Sequence, residues 1–133
     1  MIHVRLIKIL IILCVFSVSS NCSSALVKKE EIHKWNTEHN QKKYRVRSDL
    51  FFQRNQEIDK NRLIQKKGTT VALRLESSDD WIRLRLRDIT KSEEQFPGEV
   101  GYFFVRNPEL DETSSQVLDA LQNYIKSNLD VVQ

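Results

Sequence analysis

The chain has 133 residues, with 21 basic and 18 acidic side chains, two cysteines, three glycines and two prolines. This composition argues against a cysteine-stapled mini-scaffold, a glycine-built phosphate loop and a low-complexity linker. The net charge of +3 is too small to predict nucleic-acid binding.

The first 25 residues have the layout of a secretory signal peptide. Arg5 and Lys8 precede an almost wholly apolar run, Ile9 to Val18, and the small-residue zone "SSNCSSA" follows. A positive head, a short apolar stretch and small residues at a cleavage point define such a signal. The run is shorter than the about 20 residues a bilayer span needs. The expectation is a signal peptide over 1–25 and a single secreted, extracellular domain over 26–133, with no stable membrane insertion. Cleavage after Ser20 or after Ala25 both fit. Cys14 lies in the signal and Cys22 at its end, so the domain is expected to be disulfide-free. Asn21-Cys22-Ser23 is a glycosylation triplet within the cleavage zone.

Without Arg5 and Lys8 the balance is 19 basic to 18 acidic side chains, or +1. The charge is divided along the chain. Residues 26–91 carry 17 basic and 10 acidic groups, and residues 92–133 carry 2 and 8. Such asymmetry points either to a charged partner or to two ends of one fold that neutralise each other.

Residues 28–43 place Ile32, Trp35 and His39 at helical spacing, which predicts a polar helix. In residues 44–67, "YRVRSDLFF" begins with alternation. "SDLFFQRNQEIDKNRLIQKKG" reads as a helix capped by Ser48 and stopped by Gly68. The helix is the expectation for this stretch. "TTVALRLES" and "DDWIRLRLRDI" alternate apolar residues at 71, 73, 75 and at 82, 84, 86, with "SSDD" between them as turn chemistry. They predict a β-hairpin. A third strand is expected around Val100 to Val105, bounded by Pro97-Gly98 and Asn107-Pro108. A closing helix should start at Thr113, whose spacing to Gln116 forms a capping box. Its stripe of Val117, Leu118, Leu121, Tyr124, Ile125 and Leu129 needs a surface to cover, and the leucine face of the hairpin is the candidate. The fold class expected is α+β: an N-terminal helical region, a small antiparallel meander and a C-terminal amphipathic helix packed on the sheet.

If the leucines of "WIRLRLRD" face inward, Arg83, Arg85 and Arg87 face outward. Same-face strand residues lie about 6.6–6.8 Å apart, giving a cationic track about 13 Å long. Trp81 heads it, and Arg74, Lys66 and Lys67, with Lys60 and Arg62, widen it. A guanidinium is a planar fork that grips carboxylate, sulfate or phosphate through paired hydrogen bonds. One reading is a binding face made of Trp81, Arg83, Arg85, Arg87, Arg74, Lys66 and Lys67, for an acidic protein or a sulfated polysaccharide. The other is a solvated face crossed by ion pairs to Glu76, Asp79, Asp80 or Glu99.

The sequence supplies no catalytic or metal site and implies no cofactor. His33 and His39 are six residues apart, not a same-face helical pair, and both read as exposed helix residues. No nucleophile elbow is present. Glu93-Glu94 reads as a solvated loop pair.

Three resemblances can be stated on particular residues. "KWNTEHNQKKY", with Phe52, Asn55, Ile58 and Asn61, faintly resembles the inhibitory propeptide of papain-like cysteine proteases, with its Asn–Ile–Asn steps each one residue short. It implies, as an alternative, a secreted inhibitor of such enzymes carried by residues 30–61. Residues Arg62 to Leu75 look like one strand pair of the Ig-like N-terminal domain of transglutaminases. "VALRLESSDDWIRLRLRDIT", with "GYFF" and the closing helix, is similar to part of the N-terminal region of ribosome-inactivating proteins. There a strand carries a substrate-stacking tyrosine where this chain has "KSEEQFPGE", and the chain ends before the catalytic glutamate and arginine. That resemblance implies a truncated, inactive domain. The main expectation is a small secreted non-enzymatic binding protein with a basic strand face.

Overall fold

The computed structural model describes residues 25–132. The segment expected to be a signal peptide, apart from Ala25, lies outside the described residues, and with it Cys14, Asn21 and Cys22. In chain order the elements are α1 (Lys29–His39), β1 (Lys43–Val46), β2 (Leu50–Arg54), β3 (Glu57–Gln65), β4 (Thr70–Ser77), β5 (Trp81–Asp88), β6 (Glu99–Val105), α2 (Ser114–Asn128) and β7 (Leu129–Val132). The fold is α+β, with a C-terminal helix near a sheet, as the sequence implies. The sheet is larger than the expected meander. Its seven strands run in the order β3-β2-β6-β5-β4-β1-β7, with β2 and β6 parallel and all other neighbours antiparallel.

That order forces the sheet to curl. β3 and β4 are four strand positions apart, which in a flat sheet is about 19 Å. The connection between them is a tight turn, with Thr69 N–H donating to Lys66 O. β1 and β2 are also four positions apart and are joined by residues 47–49 alone. Both connections lie at one end of the sheet, which is therefore pinched shut. Gly68 N–H donates to Val46 O, Val46 N–H to Thr69 O, and Lys67 N–H to the Asp49 carboxylate at 2.9 Å. Gly68 sits at φ +88°, a conformation glycine adopts without cost.

The expected helix over 48–67 is instead β2, a turn and β3. Asn55 makes the turn at φ 52°, where Asn is tolerated better than other side chains. Its backbone N–H donates to Phe103 O and its side-chain oxygen accepts from Val105 N–H, each at 2.8 Å. A helix would forgo this bridge to β6.

The hairpin forms as expected, with Leu73 opposite Leu86 and Leu75 opposite Leu84. Leu84 and Leu86 are fully buried, in one cluster with Val117, Leu121, Tyr124 and Ile125 of α2. The helix begins with the expected capping box between Thr113 and Gln116. It lies against the inner side of the curl. Tyr124 stacks on Tyr102 of β6 at 4.8 Å, and burial pushes the Tyr102 hydroxyl up to about 12. A bulge between Leu84 and Arg85 places Gly101 under this helix. A Cβ at Gly101 would collide with Leu86 and come within 3.0 Å of the Tyr124 hydroxyl.

α1 covers the part of β4 that β1 leaves unpaired. β1 meets β4 only at Thr70 and Val71. Beyond that point the Asn36 side chain takes a strand's place, donating to Leu75 O and accepting from Leu75 N–H, both at 2.8 Å. Trp35 enters the core from the same helix, and His39 follows it one turn later. His39 was expected to be exposed but is buried, stacked 3.8 Å from Trp35 and nearly parallel to it, with Nδ1–H donating to Trp35 O at 2.7 Å. No described helix is long and apolar enough to cross a membrane.

Candidate anion-binding face

Alternation along β5 turns Arg83, Arg85 and Arg87 to the side opposite the core leucines. Across β4 the outward residues are Ala72, opposite Arg87, Arg74, opposite Arg85, and Glu76, opposite Arg83. The one outward carboxylate on these two strands is shared. Glu76 Oε1 accepts from Arg83 Nε at 2.7 Å and from Arg85 Nε. Arg85 also donates to Gly98 O, and Arg87 to Lys91 O. Side-chain exposures of 33% for Arg83, 21% for Arg85 and 27% for Glu76 show a cluster that is partly withdrawn from water. Burial would raise the Glu76 carboxyl. Hydrogen bonds from Arg85 and Arg83 outweigh that effect and hold it below the usual carboxylate range.

Trp81 belongs to this cluster. The Arg83 guanidinium lies 4.8 Å over its ring, and Phe103 of β6 packs beside it at 5.6 Å. The pattern continues onto β2 and β3. Arg54 lies over Phe103 at 5.8 Å, and Arg62 over Phe52 at 4.4 Å. Guanidinium groups on aromatic faces are cation–π pairs. The outer face therefore carries a band of alternating rings and guanidiniums that crosses five strands, from Arg62 on β3 to Glu76 on β4.

The structure divides the residues singled out from sequence. Trp81, Arg83 and Arg85 are brought together around Glu76. Arg87 and Arg74 stand beside them toward the pinched end, and Arg74 faces Glu93 of the β5–β6 connection at 3.6 Å. Lys66 and Lys67 are exposed in the β3–β4 turn beside Val46 and are not part of the Glu76 cluster. Arg54, Phe52 and Phe103 were not anticipated. The signal for the first two was the alternation "FFQR", which a helical reading of that stretch conceals.

Both readings of the arginine row thus have a basis. The cross-strand pairing to Glu76 is real. The uneven charge along the chain is partly settled within the fold, since Arg47–Asp130 and Arg74–Glu93 each join the basic part to the acidic part. One carboxylate on β4 and β5 still answers several guanidiniums, while on β3 Glu57 and Asp59 stand opposite Arg54 and Phe52 of the band. Among the described residues no group of three or more metal-ligating side chains is assembled. The residues that resemble cysteine protease propeptides, Phe52, Asn55, Ile58 and Asn61, fall on β2, the turn and β3, where Asn55 bridges to β6. No protein-family model matches the chain, and no curated protein or solved structure is significantly similar to it.

Proposed function

We propose that this is a small secreted, non-enzymatic binding module whose outer sheet face holds a sulfated polysaccharide. The observation that carries the reading is the ring-and-guanidinium band with Glu76 as the sole outward carboxylate on β4 and β5. A guanidinium has five N–H donors, and the contacts to Glu76 use the Nε positions of Arg83 and Arg85. The terminal nitrogens of Arg83 can then meet a sulfate in the bidentate manner, and Arg85, whose Nη1 donates to Gly98 O, can add a contact through Nη2. Trp81, Phe103 and Phe52 are half-buried rings on which a sugar ring can lie.

Tryptophan and arginine also make up many protein hot spots. A sulfated polysaccharide is favoured over an acidic protein because, among the described residues, no large exposed apolar side chain accompanies the band. The large exposed apolar side chains, Ile58, Leu63, Leu110 and Val131, lie on β3, in the β6–α2 connection and on β7. None belongs to the band. Salt-dependent retention on heparin is the test. The protein should elute well above physiological salt, and Arg83→Ala with Arg85→Ala should weaken binding about tenfold or more. Glu76→Gln should tighten it by releasing both arginines. Elution near physiological salt, unchanged by replacing Arg83, Arg85 and Arg87 with Ala, would remove the proposal. Equal retention on polyglutamate would transfer the face to an acidic protein.

A further inference from the structure

A second feature lies on the outer side, toward the pinched end. A cleft of about 320 Å³ opens between α1 and β4. His33, Asn36, Thr37 and Asn40 of α1 form one wall. That wall is held in place, because Asn36 is doubly hydrogen-bonded to the Leu75 backbone. Ala72 is the reason there is room. Around it the outward positions of β4 and β5 carry Arg74, Glu76, Arg83, Arg85 and Arg87. Arg74 and Arg87 border the opening from adjacent strands, and diagonal neighbours of this kind stand about 7–8 Å apart. Glu93 and Pro97 of the β5–β6 connection close the far side.

Glu93 is the informative group. It approaches Arg74 at 3.6 Å with both side chains more than half exposed, which is too far for a hydrogen bond. Glu93 is thus a loose, exposed ionic neighbour of Arg74 that a free anion can replace. We propose that the cleft binds a small hydroxylated carboxylic acid of the sugar-acid type, whose carboxylate displaces Glu93 and bridges Arg74 and Arg87. A free carboxylate is not tethered to the loop and can reach the charge-assisted hydrogen-bond distance of about 2.7–2.9 Å from each guanidinium. Arg87, whose Nη1 donates to Lys91 O, has further donors for it. The body of the acid lies over Ala72 and against Pro97. Its hydroxyls face Thr37, Asn40 and His33. The Thr37 hydroxyl donates to His33 O, so its oxygen is available as an acceptor. The volume falls at the small end of ligand pockets and suits a monosaccharide, either free or at the end of a longer chain. This inference does not rest on the polysaccharide reading of the band.

The test is a titration of ¹⁵N-labelled protein with glucuronate, with glucose as the uncharged control. Glucuronate should shift the amides of Ala72, Arg74 and Arg87 saturably, and glucose should not. Arg74→Ala should weaken the binding about tenfold. Glu93→Gln should tighten it, and Ala72→Leu should abolish it while leaving amides elsewhere unmoved. Arg83→Ala should not change glucuronate binding, which separates this site from the band. If Arg74→Ala also weakens a heparin oligosaccharide, the cleft takes a chain end; if it weakens glucuronate alone, the ligand is a free acid. Equal shifts with glucose, or glucuronate shifts that survive Ala72→Leu, would overturn the proposal.

Discussion

At the scale of single residues, His39 shows what a fold asks of a titratable group. Its ring is stacked on Trp35 inside the protein, and burial lowers its pKa. The hydrogen bond to Trp35 O acts in the opposite direction, and Lys42 lowers the pKa further. The native protein therefore takes up a proton less readily than the unfolded chain does. The corresponding stability is fully present above the unfolded value of about 6.5 and is lost as pH falls through the lowered native value. His39→Phe keeps a flat ring against Trp35 and removes the titration. Denaturant unfolding at pH 7.5 and at pH 5.5 should show a smaller difference for this variant than for the native chain. The cost at pH 7.5 should be about 1 kcal/mol, from the lost side-chain hydrogen bond. An unchanged difference would mean that the imidazole becomes charged without resistance. Glu76, also held low, titrates in a more acidic window and does not confuse the comparison. The burial of His39 had a trace in sequence, since it lies four residues after Trp35 on the same helical face. Its role as a stacking partner rather than a solvated residue depended on how deeply Trp35 enters the core.

At the scale of elements, local pattern identified what local forces hold together. The 71–87 hairpin, with its alternating leucines, and α2, with its capping box, were both legible. β3 was not, because an edge strand exposed over Glu57 to Leu63 has no alternation of burial to display. Its run of charges blunts an edge that would otherwise invite pairing with another chain. Ser48 and Gly68 then imitated helix boundaries. β7 was missed for another reason. It follows α2 without glycine or proline, and among the described residues its only strand partner is β1, more than 80 residues earlier. Arg47 makes that junction. Its guanidinium donates to the carbonyls of Lys126 at 3.0 Å and Ser127 at 3.2 Å, and to the Asp130 carboxylate at 2.8 Å. Carbonyls at a helix end have no partners within the helix, and a cation there also meets the negative end of its dipole. Arg47→Ala should therefore release β7 before the rest of the sheet. Amides of residues 129–132 should exchange faster in this variant, and those of β4 and β5 should exchange at the native rate. Uniform acceleration across the sheet would show that Arg47 acts on global stability and not at the junction.

At the scale of the whole molecule, the curl makes one core out of distant segments. Leu26 and Val27, at the start of the described chain, share a cluster with Trp35, the hairpin leucines and α2. Leu121 is fully buried in that cluster, on the helix that the sheet wraps. The two tryptophans report from different places. Trp35 lies in the core under α1, and Trp81 lies on the outer face at the end opposite the pinch. If the core is single and cooperative, both must lose their environment in the same transition, as small two-state domains do. Single-tryptophan variants, Trp81→Phe to observe Trp35 and Trp35→Phe to observe Trp81, provide the two probes. Within each variant, the fluorescence transition should coincide with loss of far-UV circular dichroism. Leu121→Ala, added to each, should lower stability by about 2–5 kcal/mol, and by the same amount for both probes. That loss is a large share of the 5–15 kcal/mol typical of a domain this size. The band and the cleft are both mounted on the outside of the curl, so their geometry depends on the same packing. Were Trp81 to report a transition that Leu121→Ala leaves in place, the outer face would be a separate folding unit, and the core would not fix the geometry of the band and the cleft.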